Sequence, residues 1–185
     1  YAPSVIAADL SPEITTAYFP APVGATWIYE ASTEDGVERI EIEVETDTHT
    51  VWGVAARVVR DTVYFEDELK EDTWDWYGQD ADGNVWYLGE ETYEYEDGVE
   101  VCSCGAWASG EDVADIGETA LPGVIMLGTP AEGIVYRQEY YPGEAEDLAE
   151  VVATGETVSV PAGDFTGCVK TKDRSALDLE YVAFK

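Results

Sequence analysis

Basic residues are scarce in this chain. Its 185 residues include 9 Lys and Arg against 40 Asp and Glu, which gives a formal net charge of −31 at pH 7. A surface so poor in positive charge repels phosphate backbones, so we expect no nucleic-acid partner. The sequence also lacks the run of about 18 consecutive apolar residues that a membrane-spanning helix needs, so we expect no membrane insertion.

Histidine is nearly absent, which removes the usual support for nucleophile–base catalysis. The single histidine, His49, lies among small polar residues, and no G-x-S-x-G motif occurs. Carboxylate pairs are no better guide to catalysis, because 40 acidic residues form many pairs by chance. We therefore expect a protein that is not an enzyme, with His49 as an exposed turn or strand residue.

Apolar and aromatic residues, by contrast, are plentiful. The hydrophobic fraction is 45% and the aromatic fraction is 12%, which separates this chain from acidic disordered chains. The length fits one domain with a sizeable core. We expect a folded domain with an acidic coat whose self-repulsion is screened by cations or a saline medium, as in proteins of salt-loving organisms.

The readable periodicity is that of antiparallel strands. Ile40, Ile42 and Val44 alternate with three glutamates, as in a strand with one buried and one solvated face. Turn dipeptides such as Asp82-Gly83 and Asp97-Gly98 separate further strand-like segments. The predicted strands are Trp27–Ser32, Val37–Glu45, Val51–Phe65, Thr73–Gln79, Val85–Gly89, Thr92–Glu96, Val99–Cys104, Ile134–Tyr141, Val151–Val160, Phe165–Lys172 and Leu177–Phe184. We expect an all-β fold, an antiparallel meander that forms a barrel or a curved clam-like sheet.

Four features interrupt this pattern. Gly53 predicts a bend or bulge that lets the sheet curl, and Gly105–Gly123 predicts a long loop. Glu144–Glu150 has the Glu, Ala and Leu content of one short helix. Tyr1–Pro22, with four prolines, predicts an extended N-terminal arm ahead of a single β domain at residues 23–185. We expect this arm to be held by its own domain or by a neighbouring subunit.

Oxygen ligands alternate along one predicted turn. Asp80, Asp82 and Asn84 are spaced like calcium ligands, and Glu91 stands twelfth when counting starts at Asp80. Gly83 is the fourth residue of this segment, however, whereas the EF-hand loop has its glycine at the sixth. We favour a hairpin turn, with a calcium site as the alternative.

Three cysteines, Cys102, Cys104 and Cys168, are consistent with an oxidising compartment. Strand alternation places Cys102 and Cys104 on one face, so a soft-metal site with Cys168 is one interpretation. The interpretation that we favour is a disulfide from Cys168 to one of the other two.

The densest polar and aromatic segment surrounds Arg137. The simpler interpretation of Arg137 is a structural ion pair with a nearby glutamate. The functional alternative is that Arg137, Tyr136, Tyr140 and Trp86 line a barrel mouth and bind an anionic or aromatic ligand.

Five segments together resemble a group of secreted or lipid-anchored bacterial proteins. They are Pro22–Tyr29, Asp82–Tyr87, Pro122–Met126, Tyr136–Tyr140 and Val160–Lys172, which includes the pattern VPAGDFTGC. The resemblance implies an extracytoplasmic β-rich domain and brings no established activity. Members often carry a cysteine near the positions of Ala55 and Ala56, so the disulfide of the group does not transfer to this chain.

These observations favour a non-catalytic extracellular structural or assembly protein, secreted with its signal segment removed. In this hypothesis it is a subunit of a surface polymer or filament and contacts its neighbour through Tyr1–Pro22. Its partners would be further copies or other surface proteins. The alternative is a β-barrel module that binds a small ligand and is stabilised by calcium.

Overall fold

The computed structural model describes residues 1–113, 116–178 and 180–185, and it is almost entirely β-structure. Its strands are β1 (Thr26–Ser32), β2 (Val37–Val51), β3 (Val54–Phe65), β4 (Glu68–Gln79), β5 (Val85–Glu96), β6 (Val99–Cys102), β7 (Trp107–Ala108), β8 (Asp112–Val113), β9 (Glu118–Thr119), β10 (Gly123–Met126), β11 (Val135–Arg137), β12 (Asp147–Val160), β13 (Gly163–Ser175) and β14 (Val182–Phe184). The one helical element among the described residues is a 3₁₀ turn at Ala7–Asp9. The prediction of an all-β fold is confirmed.

The main sheet is an antiparallel meander that forms a half-barrel. Its strand order is β1-β2-β3-β4-β5-β10, and the short strands β6 and β7 also pair with β5. A second sheet has the order β11-β12-β13-β14, and β8 pairs with β9. The predicted loop Gly105–Gly123 therefore contains short strands, and its residues 114–115 lie outside the described part of the chain.

Gly53 belongs to a tight hairpin turn, which corrects the predicted bend within one strand. Trp52 and Gly53 have φ values of 52° and 79°, and Val51 pairs directly with Val54. Two consecutive left-handed residues are the geometry of a two-residue hairpin loop that matches the twist of its strands. The predicted strand Val51–Phe65 consequently begins at Val54.

The turn between β3 and β4 was missed because no glycine marks it. Glu66 and Asp67 have φ values of 51° and 65°, so both adopt the left-handed conformation that usually favours glycine. As a result β4 begins at Glu68, five residues before the predicted start at Thr73.

A bulge at Gly89 joins two predicted strands into the single strand β5. Trp76 pairs with Gly89 and Tyr77 pairs with Tyr87, so one residue of β5 is left without a partner on β4. Gly89 has a φ of 132°, and a side chain here would overlap the backbone carbonyl of Trp107. Glycine therefore allows β7 to approach β5 closely.

The predicted helix Glu144–Glu150 is wrong. Tyr141 forms an isolated bridge with Ala145, and β12 begins at Asp147, which pairs with Ser175. Local helix propensity is weak compared with the hydrogen bonds of a long hairpin, so pairing with β13 decides the conformation. The neighbouring predicted strand Leu177–Phe184 is reduced to β14, and its residue 179 lies outside the described residues.

The main sheet carries a core on each face. The first core contains Val5, Val51, Ala56, Val58, Trp76, Trp86, Leu88, Val124, Tyr136, Ala149 and Val151. The second contains Ala21, Val44, Val59, Tyr77, Val85, Tyr87, Trp107 and Ala120. Neighbouring residues of one strand, such as Trp76 and Tyr77, enter different cores because successive strand side chains point to opposite faces.

The N-terminal arm packs on its own domain. Ser11 forms a backbone bridge with Gln79, whose side-chain oxygen accepts a hydrogen bond from the backbone N–H of Thr15 at 2.8 Å. Val5 and Ala21 are only 8% and 6% exposed, and they belong to the first and the second core respectively. The arm therefore contributes to both faces of the sheet. No helix in the described residues is long and apolar enough to cross a membrane.

Candidate functional site

Two of the four predicted ligand-binding residues lie together around the chain terminus. The guanidinium of Arg137 stands 5.1 Å from the ring centre of Tyr140 and 5.6 Å from that of Tyr1. Arg137 also forms an ion pair of 3.3 Å with Glu146. These contacts agree with the simpler interpretation of Arg137 as a structural ion pair. Two aromatic rings and the Glu146 carboxylate already contact its guanidinium.

The other two predicted ligand-binding residues are core residues. Tyr136 and Trp86 are both buried in the first core. Tyr136 precedes Arg137 on β11, so alternation directs their side chains to opposite faces. The structure thus separates the proposed ligand set into one buried pair and one pair beside Tyr1.

The predicted turn at Asp80 is confirmed, and its carboxylate is fully engaged. One oxygen accepts hydrogen bonds from the backbone N–H groups of Asp82 and Asn84, at 3.0 and 2.9 Å. The other accepts from the Asn84 amide at 2.9 Å and the Trp86 indole at 2.8 Å. These hydrogen bonds lower the pKa of Asp80 against the opposing effect of desolvation.

Calcium binding by this turn would require several of these hydrogen bonds to be replaced. The Asn84 side-chain oxygen is also occupied, since it accepts a hydrogen bond from the backbone N–H of Gly128 at 3.0 Å. Glu91 lies on β5, paired with Trp74 of β4. Within residues 1–113, 116–178 and 180–185, no group of three or more His, Cys, Asp and Glu side chains is arranged to hold a metal ion.

The cysteines pair differently from the favoured prediction. Cys102 and Cys104 form a disulfide with a Cα separation of 5.3 Å, and Cys168 is free. The reason is topological. β6 ends at Cys102, so the chain turns there and brings Cys104 back, whereas Cys168 lies on β13 of the other sheet, paired with Glu156.

The most unusual chemical feature is a group of acidic and phenolic side chains on the face of the second core. We name Asp75, Tyr87, Glu90 and Glu139 the carboxylate–tyrosine cluster. The Tyr87 hydroxyl oxygen lies 2.6 Å from a carboxyl oxygen of Asp75 and 2.8 Å from one of Glu90. Asp75 and Glu90 are directly opposite on β4 and β5, which brings their side chains together.

Both contacts of the Tyr87 hydroxyl can be hydrogen bonds only if the three side chains share more than one proton. A phenol has one hydroxyl proton, so it donates to only one of its two carboxyl neighbours. The second contact is a hydrogen bond only if a carboxylic acid donates to the Tyr87 oxygen. The arrangement of Asp75, Tyr87 and Glu90 is therefore complete when one of the two carboxyls is protonated.

The electrostatic surroundings favour protonation at neutral pH. Burial raises the pKa of Glu90 to about 8, and the Asp75 charge adds to the rise while the Tyr87 hydrogen bond opposes it. Burial raises the pKa of Asp75 to about 7, again opposed by the Tyr87 hydrogen bond. Like-charged neighbours in a partly desolvated position disfavour simultaneous ionisation.

Two further carboxyls share this face. Glu139 follows β11 in the chain, and burial raises its pKa to about 7, with the charge of Asp147 adding to the rise. Asp61 of β3 has its pKa raised to about 6 by burial, with a further contribution from Glu71. One buried oxygen of Asp61 accepts no hydrogen bond from any described residue.

An unsatisfied indole lies beside the cluster. Trp107 is 2% exposed, and its N–H has no hydrogen-bond partner among the described residues. Trp107 pairs with Glu90 across β5 and β7, so both side chains project from the same face. Its ring meets that of Tyr87 edge to face, with centroids 5.5 Å apart. A buried donor without a partner thus lies on the same face as the unsatisfied carboxyl oxygen of Asp61.

Sequence reasoning missed the cluster because it treated carboxylate pairs as uninformative. The β4 segment gives no signal, because Asp75 alternates with Trp74 and Trp76 and therefore resembles an outward residue of the acidic coat. Glu90 is also unmarked, because the bulge at Gly89 shifts the alternation of β5.

A second candidate site is the free edge of the main sheet at β1. Among the described residues, β1 pairs only with β2, so the backbone groups along its outer side have no strand partner. Ile28 and Tyr29 are 69% and 53% exposed. Trp27 and Ile28 also line a groove of about 230 Å³ that extends to Arg60 on β3.

Comparisons of this chain with family models, with curated proteins and with solved structures find no match.

Proposed function

We propose that this protein is a non-catalytic extracellular assembly module that associates with further copies of itself through the free edge of β1. The observation that carries the proposal is the unprotected state of this edge strand. Exposed edges offer rows of unpaired N–H and C=O groups, which bind another strand by ladder hydrogen bonds.

Edge strands normally carry features that prevent such pairing. Charged side chains, proline and bulges are the common devices. β1 contains neither proline nor a bulge, since its seven residues pair without a shift from Thr26 opposite Glu43 to Ser32 opposite Val37. Glu30 is its single charged residue. The strand is thus regular and weakly charged.

The acidic coat makes this association dependent on salt. Two chains that each carry a formal charge of −31 repel one another, and the adjacent strand β2 carries several glutamates. The Debye length falls from about 10 Å at 0.1 M salt to about 3 Å at 1 M. Self-association through β1 is therefore expected at high salt and opposed at low salt.

Light scattering coupled to size-exclusion chromatography tests the proposal in 0.05 M and 1 M NaCl. We expect the native chain to be monomeric at low salt and to form dimers or larger species at high salt. Ile28→Lys should abolish association, because a charged side chain is buried when a strand is added at this edge. The matched control is Ile134→Lys at a 40% exposed position outside the strands, which should associate like the native chain.

Two results would contradict the proposal. One is a native chain that stays monomeric at every salt concentration. The other is an equal loss of association in both lysine variants, because the loss would then follow from the added charge and not from its position on β1.

Adding micromolar calcium or EDTA to the same series tests the prediction of calcium stabilisation, since screening requires molar salt whereas binding sites saturate at micromolar calcium.

Exchange of the arm between copies is the second candidate route to assembly. Exchange is favoured because several of the hydrogen bonds that hold the arm on its own domain involve the single residue Gln79. A designed disulfide distinguishes the two routes. A Cβ built at Gly78 lies 3.2 Å from the Cβ of Leu10, close to the separation that disulfides need.

The variant Leu10→Cys with Gly78→Cys is made with Cys168→Ser and oxidised at high salt. An arm that remains on its own domain gives a cross-link within one chain, whereas an exchanged arm gives covalent dimers on a non-reducing gel. We expect cross-links within one chain, together with unchanged association through β1. Covalent dimers would instead favour arm exchange.

A further inference from the structure

We propose that the carboxylate–tyrosine cluster is a proton-operated latch that holds β7 and the segment between β11 and β12 against the main sheet. This inference is independent of self-association through β1. It rests on the shared hydroxyl of Tyr87, on the pairing of Asp75 with Glu90, and on the unsatisfied indole of Trp107.

Three separate parts of the chain meet at this cluster. Asp75 and Glu90 are on β4 and β5 of the main sheet, Trp107 is on β7, and Glu139 follows β11 of the second sheet. Tyr141, two residues after Glu139, stacks parallel to Trp107 with ring centroids 6.3 Å apart. Ionisation of the carboxyls therefore places negative charge next to both elements that cover this face, β7 and the segment that follows β11.

The surroundings offer little positive charge to compensate for ionisation. Carboxyls facing the cluster come from β3, β4 and β12, namely Asp61, Glu71 and Asp147. Tyr77 of β4 stacks on Tyr87 and contributes no positive charge, and the neighbouring arm residue Phe19 is apolar. Among the described residues, the one cation that affects the cluster is Lys185, which lowers the pKa of Glu139 and is itself paired with Asp173.

Ionisation therefore weakens the latch as the pH rises. The folded-state pKa of both Asp75 and Glu90 is raised above its ordinary value. Stability from such carboxyls is fully present below the unfolded-state pKa and is lost as the pH rises through the folded-state pKa. The relevant window runs from about pH 4 in the unfolded chain to about 8, the folded-state pKa of Glu90.

Amide hydrogen exchange across this pH range reports opening at the latch. The Ser109 N–H donates to the Leu88 carbonyl at 2.8 Å, next to β7, and the Leu121 N–H donates to the Tyr140 carbonyl at 2.9 Å. After correction for the intrinsic exchange rate, we expect protection of both amides to fall by at least tenfold between pH 5 and 9, because one pKa unit of coupling already corresponds to a factor of ten.

Two variants separate the latch from general charge repulsion. Glu90→Gln removes one ionisable group of the cluster with little change in shape, so the fall in protection of these amides with rising pH should become clearly smaller than in the native chain. Glu94→Gln removes an exposed carboxylate from the same strand and should behave like the native chain. A carbon-13 NMR titration of the side-chain carboxyls provides a direct check, with Glu90 expected to titrate near pH 8.

Either of two findings would overturn the latch. The first is titration of both Asp75 and Glu90 below pH 5. The second is an equal loss of protection in the native chain and in the Glu90→Gln variant, because the opening would then follow total charge rather than this cluster.

Discussion

Asp72 and Asp75 lie three residues apart on β4 and face opposite sides of the same sheet, yet their surroundings differ completely. Arg60 binds Asp72 in a fork, with two hydrogen bonds of 2.7 Å. The Arg60 guanidinium also lies 4.9 Å from the ring centre of Trp74. Asp75, by contrast, meets Tyr87 and the carboxyl of Glu90.

The difference shows two ways of placing an acid within a sheet. On the Asp72 face a cation neutralises the carboxylate, and the hydrogen bond to Asp72 raises the pKa of Arg60. On the Asp75 face, no cation of the described residues pairs with the carboxyl, and burial raises the pKa of Asp75 to about 7, which favours neutralisation by a proton. The Arg60 guanidinium stays charged near neutral pH, whereas the pKa of Asp75 lies within the neutral range.

The largest effect is expected when the ion pair between Arg60 and Asp72 is broken. Arg60→Leu leaves Asp72, which is 7% exposed, without its cation. Removing one partner of a fully buried ion pair costs about 3–5 kcal/mol, and partial exposure of Arg60 reduces the expected loss to about 2 kcal/mol. Urea unfolding at pH 7 measures this loss. An unchanged free energy of unfolding would show that water solvates Asp72 adequately.

An intermediate effect is expected when the contacts of the Tyr87 hydroxyl with Asp75 and Glu90 are removed. Tyr87→Phe removes the shared hydroxyl, so the carboxyls of Asp75 and Glu90 lose a buried hydrogen-bond partner. We expect a loss of about 1 kcal/mol in the free energy of unfolding at pH 5. Because the Tyr87 hydrogen bond lowers the pKa of Glu90, its removal should raise the NMR titration midpoint of Glu90 further. A midpoint that falls would contradict the assigned contacts.

The smallest effect is expected at a surface ion pair on the same strand. Lys70 and Glu68 are 3.0 Å apart, with side chains 36% and 61% exposed. Lys70→Gln should change the free energy of unfolding by at most about 0.5 kcal/mol, because solvent and salt screen exposed pairs. Urea unfolding at low and high salt measures it. A loss comparable to that of Arg60→Leu would remove the distinction between the two kinds of pair.

Local sequence signals were sufficient for much of the fold. The hairpin turns at Asp82-Gly83 and Asp97-Gly98 and the all-β class follow from turn chemistry and alternation. The turn at Glu66-Asp67 carried no such signal, since both residues are acidic and adopt a conformation that glycine usually supplies. The helix predicted from Glu144–Glu150 failed for a different reason, because pairing with β13 outweighs local propensity.

The candidate site was less predictable than the fold. Periodicity indicated that an apolar face accompanies the acidic coat, but Asp75 alternates with Trp74 and Trp76 and so resembled a coat residue. Nothing in the sequence indicated that Glu90 would lie opposite Asp75, because that depends on the bulge at Gly89. Glu139 is further away still, on a segment of the second sheet.

Composition and local patterning are enough to establish the class of this protein, which is an acidic, aromatic-rich β-domain whose charges mostly lie on outward strand positions. These properties follow from composition and from a two-residue period, both of which are local. Which acids are neutralised by a cation and which by a proton, in contrast, depends on the three-dimensional fold. That choice depends on strand register and on contacts between distant segments, because a carboxyl is neutralised by whatever group the fold places within a few ångströms of it.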